Sequence, residues 1–249
     1  MRAYFRFYAE LNDHLPLAER FQMLEKQFSV SPSVKDMIES FGVPHAEVEL
    51  ILVNGNSVDF FYPVRDGDRI AVYPVFEALD VTPELRIRRE PLRQPKFVLD
   101  VHLGRLAAYL RLLGFDTAYR SCASDPDLAR ISRDEKRILL TRDRGLLKRS
   151  AVTHGYWLRE TDSRRQAAEI VKRFHLQSFV RPFTRCLACN AAIAPVAKKS
   201  VRQQVPERIW EQFAEFQKCL GCGRIYWPGS HHTRMVNSIA ELMRAAGAD

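Results

Sequence analysis

Two pairs of cysteines carry the most specific chemistry in the sequence. Arg185-Cys186-Leu187-Ala188-Cys189-Asn190 and Lys218-Cys219-Leu220-Gly221-Cys222-Gly223 each set two thiols on either side of two residues. Four thiolates suit a tetrahedral Zn²⁺. A closed set of four sulfur ligands is structural rather than catalytic, because no coordination position stays open. A redox pair or an iron–sulfur cluster would not call for two pairs so arranged. Gly223 allows a tight turn past the second pair. Cys122 stands apart as a plain thiol. Cysteines used this way belong to a reducing compartment, so a cytoplasmic protein is expected.

A second set of groups is acidic. The apolar run Phe97-Val98-Leu99 stops at Asp100, and Ile138-Leu139-Leu140 runs into Thr141-Arg142-Asp143. Hard divalent cations take oxygen ligands, and one or two carboxylates plus phosphate oxygens suffice. Asp100 and Asp143 are the best candidates for Mg²⁺ or Mn²⁺, with Asp125 as a third. For Asp125 and Asp127 the competing role is helix capping. Asp116 suits a structural role near a strand end, Asp162 a helix cap, and Glu135 lies in a charged loop.

A third set follows the second cysteine pair, in Arg224-Ile225-Tyr226-Trp227-Pro228-Gly229-Ser230-His231-His232-Thr233-Arg234. Tyr226 and Trp227 offer stacking faces for bases, and Arg224 and Arg234 offer charges for phosphates. His231 joins this nucleic-acid-binding set. The alternative is that Trp227 packs under the metal-binding module and His231 is a satisfied structural histidine.

These residues must be positioned by regular elements. Leu103, Leu106, Ala107, Leu110 and Leu113 recur at the spacing of one helix face, and Gly114 fits the position just past that helix. Strands are expected at Phe97–Leu99, Phe115–Tyr119, Ile138–Leu140 and Tyr156–Arg159. Helices are expected from Ser124 through Ile131 and from Asp162 or Ser163, and a short basic turn of helix over Gly145–Arg149. Apolar runs alternating with amphipathic helices imply a mainly parallel sheet, whose carboxyl strand ends are where such folds place their sites. Toward the C-terminus, Val205-Pro206 opens a helix expected to run through Phe216.

Residues 1–80 read differently. Strands are expected at Tyr4–Tyr8, Phe21–Phe28, Glu47–Val53 and Arg69–Val75, with a helix capped by Ser33 and ending at Gly42. Asn54-Gly55 is a tight-turn signal. The order strand, strand, helix, strand, strand is that of a β-grasp. The segment from Val43 to Val75 resembles the small sulfur-carrier proteins of the ubiquitin-like superfamily. Those carriers end in Gly-Gly, whereas here the chain continues through Phe76-Glu77-Ala78-Leu79-Asp80. Sulfur transfer is therefore disfavoured, and an interaction or stabilising module is expected.

The stretch Phe97–Thr117 with Asp125–Leu147 resembles the PIN-like ribonuclease domain of the Mut-seven C-terminal family. The resemblance implies that Asp100, Asp143 of a Thr-x-Asp motif and Asp125 hold Mg²⁺ or Mn²⁺. The fourth acid common in PIN domains has no clear match. The family's zinc ribbon and its YWPGSH stretch match the C-terminal part closely, and some members carry a ubiquitin-like domain in front. The implied layout is a β-grasp domain over 1–80, a linker rich in proline and arginine over 81–95, a PIN-like domain over 96–180, and a zinc ribbon with a C-terminal tail over 181–249.

Charge agrees with that division. The chain has 249 residues, 46% of them hydrophobic, and a net charge of +8. Residues 1–80 carry 7 Lys/Arg against 13 Asp/Glu, a balance of −6, which leaves +14 for the remainder. A basic body suits a polyanionic partner such as RNA. No apolar run is long enough to span a membrane and no signal peptide is evident. The expected function is a metal-dependent ribonuclease with a structural zinc ribbon aiding RNA binding and a ubiquitin-like domain free to recruit a protein partner. The alternative is a non-catalytic RNA-binding adaptor.

Overall fold

The computed structural model describes residues 1–74 and 95–247. The linker expected over 81–95 lies outside the described residues except for Pro95, and so does Val75. The chain divides into two compact units, residues 1–94 with 129–157, and residues 95–128 with 158–249.

The N-terminal part begins with β1 (Arg2–Phe7), β2 (Leu24–Gln27), α1 (Val34–Ser40), β3 (Val48–Val53), β4 (Asn56–Val58) and β5 (Arg69–Pro74). The strand order is β2-β1-β5-β3-β4. β1 and β5 are parallel, and the other pairs are antiparallel. Alternate residues point to one face. Ala3, Phe5 and Phe7 thus join Ile51, Ile70 and Val72 in a core closed by Val34 and Ile38 of α1. Ser33 caps α1: its hydroxyl accepts from the Asp36 N–H at 3.1 Å and donates to the Asp36 carboxylate at 2.7 Å. Asn54-Gly55 joins β3 to β4. This is the β-grasp arrangement expected from the order of elements.

The central part holds β6 (Phe97–Leu99), α2 (Gly104–Leu112), β7 (Thr117–Tyr119), α3 (Asp125–Asp134), β8 (Ile138–Thr141), α4 (Arg144–Leu147), β9 (Gly155–Trp157) and α5 (Ser163–Arg173). Within one unit β6 pairs with β7, and within the other β8 pairs with β9, both in parallel. Strands β6 and β8 are buried along their whole length. This is why they read as continuous apolar runs rather than alternating ones. Gly114 adopts φ +95° just past α2, and a side chain there would also collide with the Arg181 carbonyl. Glycine is the residue that satisfies both demands.

The C-terminal part holds β10 (Ile193–Val196), α6 (Glu207–Gln212), β11 (Phe216–Cys219), β12 (Ile225–Tyr226) and α7 (Ser230–Ala245). The three strands form an antiparallel sheet in the order β10-β11-β12. The helix expected through Phe216 stops at Gln212, because Phe213 turns extended at φ −113° and ψ 140°. Residues Phe216–Cys219 are then taken by two strand partners, and Phe216 enters a small core with Val201 and Val205. Tertiary pairing overrides local helix preference here. The tail beyond the ribbon is a 16-residue helix, α7, that packs on α5.

Candidate metal centre

The four cysteines come from two turns with one hydrogen-bond pattern. In the first, the Asn190 N–H donates to the Cys186 carbonyl at 2.9 Å, and the Cys186 N–H donates to the Ala191 carbonyl at 2.8 Å. In the second, the Gly223 N–H donates to the Cys219 carbonyl at 3.1 Å, and the Cys219 N–H donates to the Arg224 carbonyl at 2.9 Å. Asn190 and Gly223 hold the equivalent left-handed position, at φ +70° and +74°. Glycine and asparagine are the residues that enter this region most readily. Within each turn, backbone N–H groups aim at the leading sulfur, from Gly221 and Cys222 at 3.3 and 3.4 Å to Cys219 Sγ.

The sulfur atoms of Cys186, Cys189, Cys219 and Cys222 all lie within 4.8 Å of one another. Cys189 and Cys219 approach to 3.3 Å, and Cys186 and Cys222 to 3.6 Å. A tetrahedral Zn²⁺ with bonds of about 2.3 Å needs sulfur–sulfur edges of roughly 3.8 Å. The four residues therefore fit a metal ion such as zinc. Two of the thiols are shifted in opposite directions. Burial pushes the Cys186 thiol up, but the Tyr226 hydroxyl at 3.0 Å and the N–H groups of Cys189 and Ala188 bring it down to about 6. Cys189 moves the other way. The Ala191 N–H favours its thiolate, yet burial and the neighbouring thiols hold it up at about 11. Crowded thiols share protons in this way, and a bound cation favours the thiolate form of all of them.

The first turn is fastened to the second unit's α/β part by a residue that sequence reasoning passed over. Arg111 lies on α2 and is 5% exposed. Its guanidinium donates to the Thr117 carbonyl at 3.0 and 2.9 Å, and to the Leu187 and Ala188 carbonyls at 3.0 and 3.1 Å. Leu187 and Ala188 are the two residues between the first pair of cysteines. Asn190 adds a second tie: its amide donates to Asp116 at 2.8 Å and accepts from the Thr117 N–H at 2.9 Å. Asp116 also pairs with Arg185 at 3.7 Å. The turn thus sits at the amino end of β7. Strands β6 and β7 run parallel, with Phe97 opposite Thr117 and Leu99 opposite Tyr119. The cysteine turn therefore braces the end of this strand pair opposite Asp100.

Asp100 follows β6 directly, half-buried, with its carboxylate accepting from the Val101 N–H at 2.6 Å. Tyr119 lies over the same turn, its hydroxyl donating to the Val101 carbonyl at 2.8 Å. Asp143 lies two residues past β8, exposed. Its N–H donates to Thr141 Oγ1 at 2.9 Å, and its carboxylate accepts from the Gly145 N–H at 2.7 Å. The Thr-x-Asp spacing is thus a hydrogen-bonded turn that opens α4. Asp125 is the first residue of α3 and is exposed. Capping falls to its neighbours: the Ser124 hydroxyl accepts from the Asp127 N–H at 3.4 Å and donates to its carboxylate at 2.7 Å. Asp162 caps α5, and Glu135 pairs with Arg137 at 2.6 Å. Asp100 and Asp125 belong to the second unit and Asp143 to the first.

Of the aromatic and basic set, Arg224, His231 and Arg234 are exposed. His231 and Arg234 share the first turn of α7. Tyr226 is half-buried, with its hydroxyl against Cys186 Sγ. Trp227 packs against the core of Val201, Val205 and Phe216. His232 stacks on Phe183 with ring centres 4.3 Å apart.

A family model described as the Mut7-C RNAse domain matches residues 95–239. The chain belongs to the Mut7-C RNAse domain family. The Mut7-C match starts just ahead of β6 and ends within α7. It therefore takes in Asp100, Asp125, Asp143, all four cysteines and the stretch Arg224–Arg234. A second model, Mut7-C ubiquitin, matches residues 1–80. Among solved structures, the crystal structure of SAMP1 from Haloferax volcanii is similar at 14% identity, over 30% of this chain and 97% of that one, with a TM-score of 0.25. No curated protein matches the chain. Among the described residues, no helix is long and apolar enough to cross a membrane.

Proposed function

We propose that this Mut7-C chain is a metal-dependent ribonuclease that hydrolyses RNA phosphodiester bonds at a PIN-like acidic site formed by Asp100, Asp125 and Asp143. The observation that carries this reading is the RNAse family match, which spans all three acids. The placement of Asp100 and Asp143 just past the ends of β6 and β8 supports it, since open α/β folds build their sites there. Mg²⁺ or Mn²⁺ held by these carboxylates would generate the hydroxide nucleophile and stabilise the leaving oxygen. A backbone N–H donates to each of the Asp100 and Asp143 carboxylates, which supports a fixed orientation for these two acids. Zn²⁺ on the four cysteines would be structural, closing a ribbon whose first turn Arg111 and Asn190 tie to α2 and β7.

RNA is gripped by the basic body, whose charge of +14 outside residues 1–80 suits phosphate. Arg224, His231 and Arg234 present exposed polar groups for it, beside the half-buried rings of Tyr226 and Trp227. Affinity should fall steeply with salt as counterions are released. The protein works in the cytoplasm.

The test is cleavage of pooled cellular RNA in Mn²⁺ by the full chain beside Asp100→Asn and Asp143→Asn. A carboxamide keeps the shape but loses the charge that holds a hard cation. Cleavage by wild type and none by either variant is expected. Salt-sensitive RNA binding with no cleavage by any form would leave the adaptor function in its place.

A further inference from the structure

The N-terminal domain is fastened to the loop that carries Asp143. Trp157, the last residue of β9, is the joint. Its backbone N–H donates to Glu47 Oε1, and the other Glu47 oxygen meets His14 Nε2 at 2.8 Å. The side chains of His14 and Glu47 are 0% and 3% exposed. The His14 ring lies 5.3 Å from the Trp157 ring, and its Nδ1 is buried with no hydrogen-bond partner. That pattern fits a ring that meets the carboxylate through Nε2 alone.

From Trp157 the contacts run to both neighbours of Asp143. The indole N–H donates to the Arg142 carbonyl at 3.1 Å. The Arg144 guanidinium lies 4.1 Å above the indole ring and donates to the His14 carbonyl at 3.4 Å. One turn further on, Lys148 donates to the Glu39 carbonyl of α1 at 2.9 Å. All of these residues fall in one compact unit. A buried acid–histidine pair is costly unless it satisfies specific partners. Here it fixes a tryptophan that in turn fixes a four-residue turn.

We propose that the ubiquitin-like domain is a built-in positioning element for the acidic site: Glu47 and His14 hold Trp157, and Trp157 with Arg144 sets the Thr141–Arg144 turn in which Asp143 would bind its cation. The proposal rests on the ribonuclease reading of Asp143, and its test separates the two. None of the positioning residues touches the reacting atoms. Their effect is on how well Asp143 is preorganised for a metal, and ligands held loosely bind metal less tightly.

The test uses the full chain as wild type, Trp157→Phe and Glu47→Gln. Trp157→Phe keeps a ring in place but removes the indole N–H. Glu47→Gln keeps the shape but removes the charge. The first readout is amide hydrogen exchange over residues 141–147. It should speed up about tenfold or more in both variants, with strands β1 and β3 unchanged. The second is the Mn²⁺ concentration giving half-maximal RNA cleavage, expected to rise about tenfold with the KM for RNA within twofold. Loss of packing alone would lower the melting temperature and leave the Mn²⁺ requirement where it was. Unchanged exchange in both variants overturns the proposal, whatever the enzyme does. Faster exchange with an unchanged Mn²⁺ requirement also overturns it. Faster exchange in a chain whose wild type cleaves no RNA keeps the brace and refutes the ribonuclease reading instead.

Discussion

The four cysteines and the three acids are both candidate ligand sets, and they are built in opposite ways. Each cysteine pair is made by one turn, whose own N–H groups point at sulfur and whose residue in the left-handed region closes it. Bringing four ligands together then needs only two such turns to meet. The acids come singly, each from the end of a different element, and two of them accept from a backbone N–H one or two residues further on. A site of the first kind is coupled to its metal, because two separate turns and four thiolates must be held together at one point. A site of the second kind depends on the sheet and on whatever steadies each loop. The two should therefore fail differently when one ligand is removed.

The largest effect is expected at the cysteines. Wild type should carry about one zinc ion per chain, and Cys219→Ser should abolish it. It should also loosen β10–β12, since such sites gain roughly 10–16 kcal/mol from the metal. Elemental analysis with hydrogen exchange checks this. Zinc retained at one per chain in the variant would show that Cys219 is not needed to hold it.

At the acids the expected pattern is reversed, with function lost and structure kept. Asp143→Asn should cut cleavage by roughly a hundredfold or more, the scale of losing one charge-stabilising group from an active site. Zinc content and melting should stay at wild-type values. RNA affinity in chelator should hold or rise, because a carboxylate without its metal repels phosphate. A variant that melts early and loses zinc would show that this turn shapes the fold, and the contrast between the two sets would collapse.

Arg111 sharpens the comparison, because it ties the cysteine turn to the sheet. Arg111→Met keeps the helix and most of the volume but leaves the carbonyls of Thr117, Leu187 and Ala188 without their donor. Such a buried loss should cost about 2–4 kcal/mol. Denaturant unfolding should register it, and a chelator should strip zinc faster than from wild type. Wild-type stability together with wild-type zinc release would reduce the guanidinium to a bystander.

What the sequence made legible follows the same line between local and distant. Ser33, Ser124 and Asp162 were readable as caps because a cap and its N–H lie within three residues. The cysteine turns were readable for the same reason, and Asn190 standing where the second turn has Gly223 was a signal available but unused. The helix α7 also had one, in Met235, Ile239 and Leu242 along one face. Arg111 had none: its partners in the cysteine turn lie 76 and 77 residues away. His14, Glu47 and Trp157 are likewise joined only by the fold. The segment Val205–Phe216 misled because its helical pattern is genuine for α6, and only the pairing of β11 reveals where it stops.

The smallest expected effect concerns the acid whose role is least constrained. Asp125 opens α3 and is exposed, so its charge faces the positive end of a helix dipole. Removing that charge should cost about 0.3–1 kcal/mol and nothing more if this is its whole role. Ser124 provides the internal standard, because it caps the same helix end through a hydroxyl and is no cation ligand. Ser124→Ala should cost about 1 kcal/mol and leave cleavage intact. Asp125→Asn, matched against it in melting, should differ in activity if Asp125 completes the acidic set, with cleavage falling severalfold or more and recovering in part at high Mn²⁺. Equal stability and equal cleavage in the two variants would assign Asp125 to the helix alone. The acidic set would then consist of Asp100 and Asp143, each already oriented by a backbone N–H.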